Sequence, residues 1–182
     1  MYTDWLLKMK ENEAQTTLEE RVVELLAEHK MTVTTAESCT GGLIAATLVN
    51  VPGASDVLNE GYITYSNEAK IRLVNVSPET LERYGAVSSQ TAKEMANGAA
   101  KAAKAEAALS ATGIAGPGGG TEEKPVGLVY IACYVKDKVI VERCQFRGSR
   151  DKIREQAVVR GLNLLRLSIL QNYRKDKEKE RD

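Results

Sequence analysis

The order of strand-like and helix-like segments predicts an α/β fold: a single-domain α/β sandwich with a mixed sheet flanked by helices, in two or three layers. Three observations carry this expectation. Segments such as "MTVTTAES" and "AALSATGIAG" are rich in β-branched or apolar residues at strand length. Between them lie segments with apolar residues at helical spacing, opened by serine or threonine and closed by glycine or proline. Two adjacent strand-like segments, "VGLVYIACYV" and "KVIVERCQF", meet across residues 136–138 as a hairpin, so part of the sheet is antiparallel. A length of 182 residues with 43% hydrophobic content suits one domain with its own core.

Taken in order, residues 1–16 read as an N-terminal extension, 17–172 as the folded domain and 173–182 as a charged, disordered tail. Thr17 followed by Glu20 forms a capping box that opens a helix through His29. "MTVTTAES" is a strand, and "GLIAATLVN" a short apolar helix stopped by Pro52 and Gly53. "VLNEGYITYS" is the next strand, after which Ser66 or Asn67 caps a helix over "EAKIRLV". Ser77 and Pro78 begin another helix and Gly85 ends it. Ser88 or Ser89 caps an alanine-rich helix over "SSQTAKEMANGAAKAAKAEAAL", whose small residues suit close packing on a sheet. The strand "AALSATGIAG" leads into a glycine-rich loop, then the hairpin, then a last helix from about residue 149.

Charge and composition exclude several functions. Lys plus Arg and Asp plus Glu both number 25, so no broad pull toward nucleic acid or an acidic membrane surface is expected. No apolar run reaches the roughly 18 residues that span a bilayer, and the N-terminal residues lack the pattern of a signal peptide, so the expected location is cytoplasmic. Three cysteines with no CxxC pair suggest neither a disulfide framework nor a zinc site. His29 is the single histidine and sits at a helix end. A Ser-His-Asp or Cys-His hydrolase therefore lacks a base, and a histidine-based metal site lacks ligands.

Three places could carry chemistry. In "TTAESCTGG", residues 34–42, a strand delivers Ser38 to a turn with Gly41 and Gly42, and a helix follows directly. Ser38 can be a nucleophile beside free amides, or Ser38 or Thr40 can simply cap the helix. In "YITYSNEAK", Lys70 falls in the first turn of a helix, where a cation opposes the dipole and its pKa tends to fall. A neutral lysine is a competent base for a serine hydroxyl, with Tyr65 placed to relay the proton; a solvated lysine and a half-buried tyrosine are the alternative. In "ATGIAGPGGG", Thr112 and Gly113 end a strand before glycines that could cradle a phosphate or merely connect. Arg147 and Arg150 in "FRGSRD" offer a guanidinium for bidentate phosphate binding, or for a surface salt bridge.

The motifs "TTAESCTGG", "GYITYSNEAK", "YGAVSSQTA", "SATGIAGPGGGTEEKPVG" and "FRGSRD", in this order, closely resemble the CinA C-terminal domain family. The resemblance implies a serine amidase that converts nicotinamide mononucleotide to nicotinic acid mononucleotide and ammonia in pyridine nucleotide recycling, with no cofactor and no metal. By the same resemblance Ser38 is the nucleophile, Lys70 its base and Tyr65 the relay of a Ser-Tyr-Lys arrangement. Thr40, Gly41 and Gly42 would stabilise the oxyanion or bind phosphate, Ser55 in "PGASD" would belong to the site, and Thr112, Gly113 and Arg150 would hold the nucleotide. Glu37 is expected to orient the turn and Cys39 to fill space. A homodimer or higher homo-oligomer is expected. The rival expectation is a non-catalytic nucleotide-binding module of the competence-associated type.

Overall fold

The computed structural model describes residues 16–179. The extension before residue 16 and residues 180–182 lie outside the described part. Five strands form one sheet in the order β2-β1-β3-β4-β5. In chain order these are β1 (Val33–Glu37), β2 (Tyr62–Ile63), β3 (Ala107–Gly113), β4 (Leu128–Val135) and β5 (Lys138–Gln145). β1 runs parallel to both β2 and β3, while β3, β4 and β5 are successively antiparallel, so the sheet is mixed as expected.

Among the described residues, six α-helices cover the two faces: α1 (Leu18–Glu28), α2 (Leu43–Val49), α3 (Asn67–Val74), α4 (Pro78–Tyr84), α5 (Ser89–Ala103) and α6 (Arg150–Lys179). Strand alternation sorts the two layers. Ala107, Leu109 and Ala111 of β3, with Val129, Ile131, Cys133 and Val135 of β4, pack against α1, α2 and α6. Ala108 of β3 joins Val74, Leu81, Met95 and Ala99 from α3, α4 and α5 on the other face. Leu109 and Ile131 are fully enclosed, and burying such a side chain stabilises the fold by about 1.5–3 kcal/mol. The alanines of α5 allow a close approach, and Gly98 is required there: a Cβ at this position would lie 1.7 Å from the Val74 carbonyl oxygen of α3.

The local signals explain most boundaries. Thr17 and Glu20 form the capping box of α1, and the Ser66 and Ser88 hydroxyls accept the Ala69 and Thr91 amides as caps of α3 and α5. Lys136 and Asp137 take positive φ values of 45° and 67° in the two-residue hairpin turn, the conformation that matches strand twist.

Three expectations are corrected. The strand expected over "VLNEGYITYS" shrinks to Tyr62–Ile63 plus one bridge from Leu58 to Val33. Between them Gly61 passes so near β1 that a Cβ would meet the Thr35 hydroxyl at 2.7 Å. Helix α5 ends at Ala103, earlier than the alanine run suggests, because Lys104 turns left-handed with φ 53° and Ala107 already pairs with Val33. Helix α6 continues through Lys179, so most of the stretch expected as a disordered tail has helical backbone, in keeping with the high helix propensity of Lys, Glu and Arg.

Candidate active site

The site begins with the alternation of β1. Glu37 ends the strand on the α2 face, and Ser38, one residue later, turns to the opposite face where α3 packs. The Glu37 carboxylate is completely buried and accepts three amides of the following turn and helix: Gly42 at 3.0 Å, Ile44 at 3.0 Å and Ala45 at 2.9 Å. It thus fills the role of an N-terminal cap that Ser38 or Thr40 could otherwise have taken. Gly41 and Gly42 have φ values of 60° and 94°, a consecutive left-handed pair that lets the chain fold back over the carboxylate. The Ser38 amide itself donates to the Ala111 carbonyl of β3 at 2.9 Å, which ties the serine to the sheet.

Lys70 approaches from α3. Side chains on a helix lean toward its N-terminus, so the Lys70 ammonium reaches back to the end of β2. Its Nζ stands 2.8 Å from the Thr64 carbonyl oxygen, 3.4 Å from that of Tyr65, 3.5 Å from that of Ser66, and 3.2 Å from Ser38 Oγ. Lys70 keeps 1% of its surface while Ser38 keeps 9%, so the serine is the member of the pair that solvent or a ligand can reach. Burial pushes the Lys70 pKa below the usual lysine range, with Cys39 and Glu68 pulling weakly in the other direction. Desolvation therefore does what the helix dipole was expected to do. Nζ donates to these carbonyls and to Ser38 Oγ; on losing a proton, its lone pair becomes the acceptor for the Ser38 hydroxyl proton.

Tyr65 enters differently from the expected relay. Its main-chain carbonyl faces Lys70, but its ring is 65% exposed and its hydroxyl lies 3.4 Å from an Arg150 Nη. Because Ser38 and Lys70 touch directly, the geometry needs no intermediary between them. Arg150 also donates to the Gly116 carbonyl at 2.9 Å, and so connects the glycine-rich loop to the Tyr65 side of the site.

The other expected residues divide. Gly42 is present but its amide is committed to Glu37, so it is not a free oxyanion donor. Among the described residues, no hydrogen bond engages the Gly41 amide, while the amides of Cys39 and Thr40 are directed toward the Cys39 sulfur. The Thr40 hydroxyl is fully buried and has no hydrogen-bond partner among the described residues. Thr112 is also buried, and its hydroxyl donates to the Ala86 carbonyl at 2.7 Å, which is a structural commitment. Gly113 packs against β4, where a Cβ would meet the Leu128 carbonyl oxygen at 2.6 Å. Ser55 lies in the exposed 3-10 turn Ala54–Asp56, which leads to the start of β1 through the bond from the Val33 amide to the Val57 carbonyl. Within one chain it is therefore separated from Ser38 by the length of β1, about 3.3 Å per residue.

Arg154 was not singled out from the sequence. From α6 its Nε donates to the Cys39 carbonyl at 3.2 Å and an Nη donates to the Thr40 carbonyl at 2.8 Å. The available signal was its place four residues after Arg150, on the same face of the last helix. Burial pushes the Cys39 thiol up to about 11, so it stays protonated and apolar beside the serine. Among the described residues, no three His, Cys, Asp or Glu side chains gather as a cation site requires, and no helix is long and apolar enough to cross a membrane.

A family model described as the CinA C-terminal domain matches residues 15–169. A protein of Kosmotoga olearia named CinA-like protein is 54% identical over 153 residues, 84% of this chain and 37% of the relative. The chain thus spans well under half the length of the curated relatives it matches, 37% and 40% in two clostridial cases. The crystal structure of the competence/damage inducible protein CihA from Agrobacterium tumefaciens is 42% identical, with a TM-score of 0.81 over 84% of this chain and 93% of that one. A CinA superfamily protein from Klebsiella pneumoniae is 34% identical, with a TM-score of 0.82 over 85% and 96% of the two chains.

Proposed function

The chain belongs to the CinA C-terminal domain family, and on that premise we propose that residues 17–172 form a serine amidohydrolase acting on nicotinamide mononucleotide. The products are nicotinic acid mononucleotide and ammonia. The observation that carries the reading is the direct contact between Ser38 Oγ and the buried Lys70 amine, 3.2 Å apart. A serine paired with a desolvated lysine is an activated nucleophile, and this one keeps 9% of its surface at the end of a parallel strand.

In the proposed reaction the neutral Lys70 amine takes the Ser38 hydroxyl proton as Ser38 Oγ bonds to the carboxamide carbon. The carboxamide oxygen gains the negative charge and meets the amides of Thr40 and Gly41 in the turn. Lys70 then returns the proton to the departing nitrogen, which leaves as ammonia, and an ester joins Ser38 to the nucleotide. Water attacks the ester, Lys70 accepts its proton and passes it to Ser38 Oγ, and the carboxylate product departs. Tyr65 and Arg150, whose hydroxyl and guanidinium stand together at the mouth, face the substrate's polar groups. No step uses Ser55. The protein is proposed to work in the cytoplasm as a homo-oligomer, with a small molecule as its partner.

The test is to incubate the purified chain with nicotinamide mononucleotide and follow ammonia and nicotinic acid mononucleotide. The reading expects both products in equal amounts. A folded chain that binds the nucleotide and releases neither product would instead support a binding module.

A further inference from the structure

We propose that Arg154 is a positioning residue that builds the oxyanion site beside Ser38, acting through the backbone without touching substrate. The inference rests on the amidohydrolase reading for its reaction, and on three observations of its own. The guanidinium spans two successive carbonyls, those of Cys39 and Thr40. In a trans peptide the C=O and the following N–H point in opposite directions. Drawing these two carbonyls toward α6 therefore turns the Thr40 and Gly41 amides away from it; the Gly41 amide carries no other bond among the described residues, and the Thr40 amide stands beside the weakly accepting Cys39 sulfur. The third observation is the opposite anchor. Glu37 holds the amides of Gly42, Ile44 and Ala45, so the turn is gripped by a buried carboxylate on its amides and a guanidinium on its carbonyls.

Arg154 itself commits the guanidinium edge formed by Nε and one Nη to the turn. Its side chain is only 28% exposed, and its one acidic neighbour, Asp151, is loosely placed at 3.9 Å. Arg150, one turn earlier, has the contrasting environment: exposed, and bonded to the loop and to Tyr65. Two arginines of one helix thus divide the labour, Arg154 setting the reaction geometry and Arg150 meeting the ligand.

The test compares the parent with Arg154→Lys and Arg154→Met, each checked by thermal unfolding. Steady-state deamidation of nicotinamide mononucleotide is measured beside the rate at which a fluorophosphonate labels Ser38. That reagent also places an oxygen in the oxyanion site and requires no nucleotide recognition. The expected result is a kcat lower by about 100-fold in both variants with KM changed by less than about threefold, and a parallel fall in the labelling rate. Lysine fails because one ammonium cannot span two carbonyls in fixed geometry. If the methionine variant does not fold, the lysine variant decides. A raised KM with kcat intact, or labelling at the parental rate, overturns the proposal. Should the parent label at Ser38 but release no ammonia, the amidase reading fails while the labelling ratio still decides the role of Arg154. A folded parent that never labels at Ser38 overturns the oxyanion site itself.

Discussion

Two glycine-bearing connections leave the same end of the sheet, one after β1 and one after β3, and they are built in opposite ways. The turn after β1 is braced from three directions: Glu37 beneath it, Arg154 on its carbonyls, and Lys70 against Ser38. The loop after β3 runs with residues 117–123 exposed, and Arg150 links it to the Tyr65 side through the Gly116 carbonyl. Gly41 and Gly42 adopt left-handed conformations that the brace demands; the loop has left-handed glycines of its own at Gly116 and Gly119, but a Cβ at Gly118 would meet nothing within 4 Å. A braced turn can hold reacting atoms in place, and an exposed loop can adapt to a ligand.

The largest effect expected from breaking the brace is chemical. Ser38→Ala and Lys70→Arg should each lower kcat by about 10⁴-fold or more, arginine failing because it cannot release a proton at working pH. Thermal unfolding would confirm that the variants are folded. Next comes Glu37→Ala, which strands the Gly42, Ile44 and Ala45 amides and opens a cavity; urea unfolding should show a loss of about 3 kcal/mol. A smaller loss, about 1–2 kcal/mol, is expected for Gly42→Ala, where the left-handed backbone has a cost for any Cβ and Ile63 stands 3.3 Å away. The smallest effect should come from Gly118→Ala in the exposed loop, within about 0.5 kcal/mol of the parent. Equal losses for the two glycine variants would erase the contrast between the connections.

The pH dependence sharpens it further. Only the neutral form of Lys70 can accept the Ser38 proton, so kcat/KM should rise with pH along a limb whose midpoint lies below the range of an ordinary lysine. The sign for stability follows from the same burial. Because the folded-state pKa is lowered, the folded chain binds fewer protons than the unfolded chain between the two pKa values, and stability rises with pH across that window. Lys70→Met should flatten that part of the stability curve.

Much of this fold is legible in the sequence because its signals are local. The capping box at Thr17, the caps at Ser66 and Ser88, and the hairpin across residues 136–138 each depend on residues a few positions apart. The misjudged boundaries depend on tertiary contacts. β2 is cut short by the close pass of Gly61 over Thr35, and α5 stops where β3 must begin. The same division holds at the site. Ser38 and Lys70 could be picked out because each lies at a strand end or helix start, and the structure brings them into contact across 32 positions. Arg154 acts from 114 and 115 positions away on main-chain atoms, which leave no mark on the sequence of the turn they hold. The commitments of the Gly42 amide and the Thr112 hydroxyl were hidden for the same reason.

The measurement that tests the central claim most directly is rapid-quench peptide mass spectrometry of the chain mixed with nicotinamide mononucleotide. The account predicts a transient adduct on the peptide containing Ser38, equal in mass to the nucleotide less ammonia, that forms and decays at rates compatible with turnover. Turnover with no adduct on Ser38 at any time, or undiminished turnover in Ser38→Ala, would contradict it.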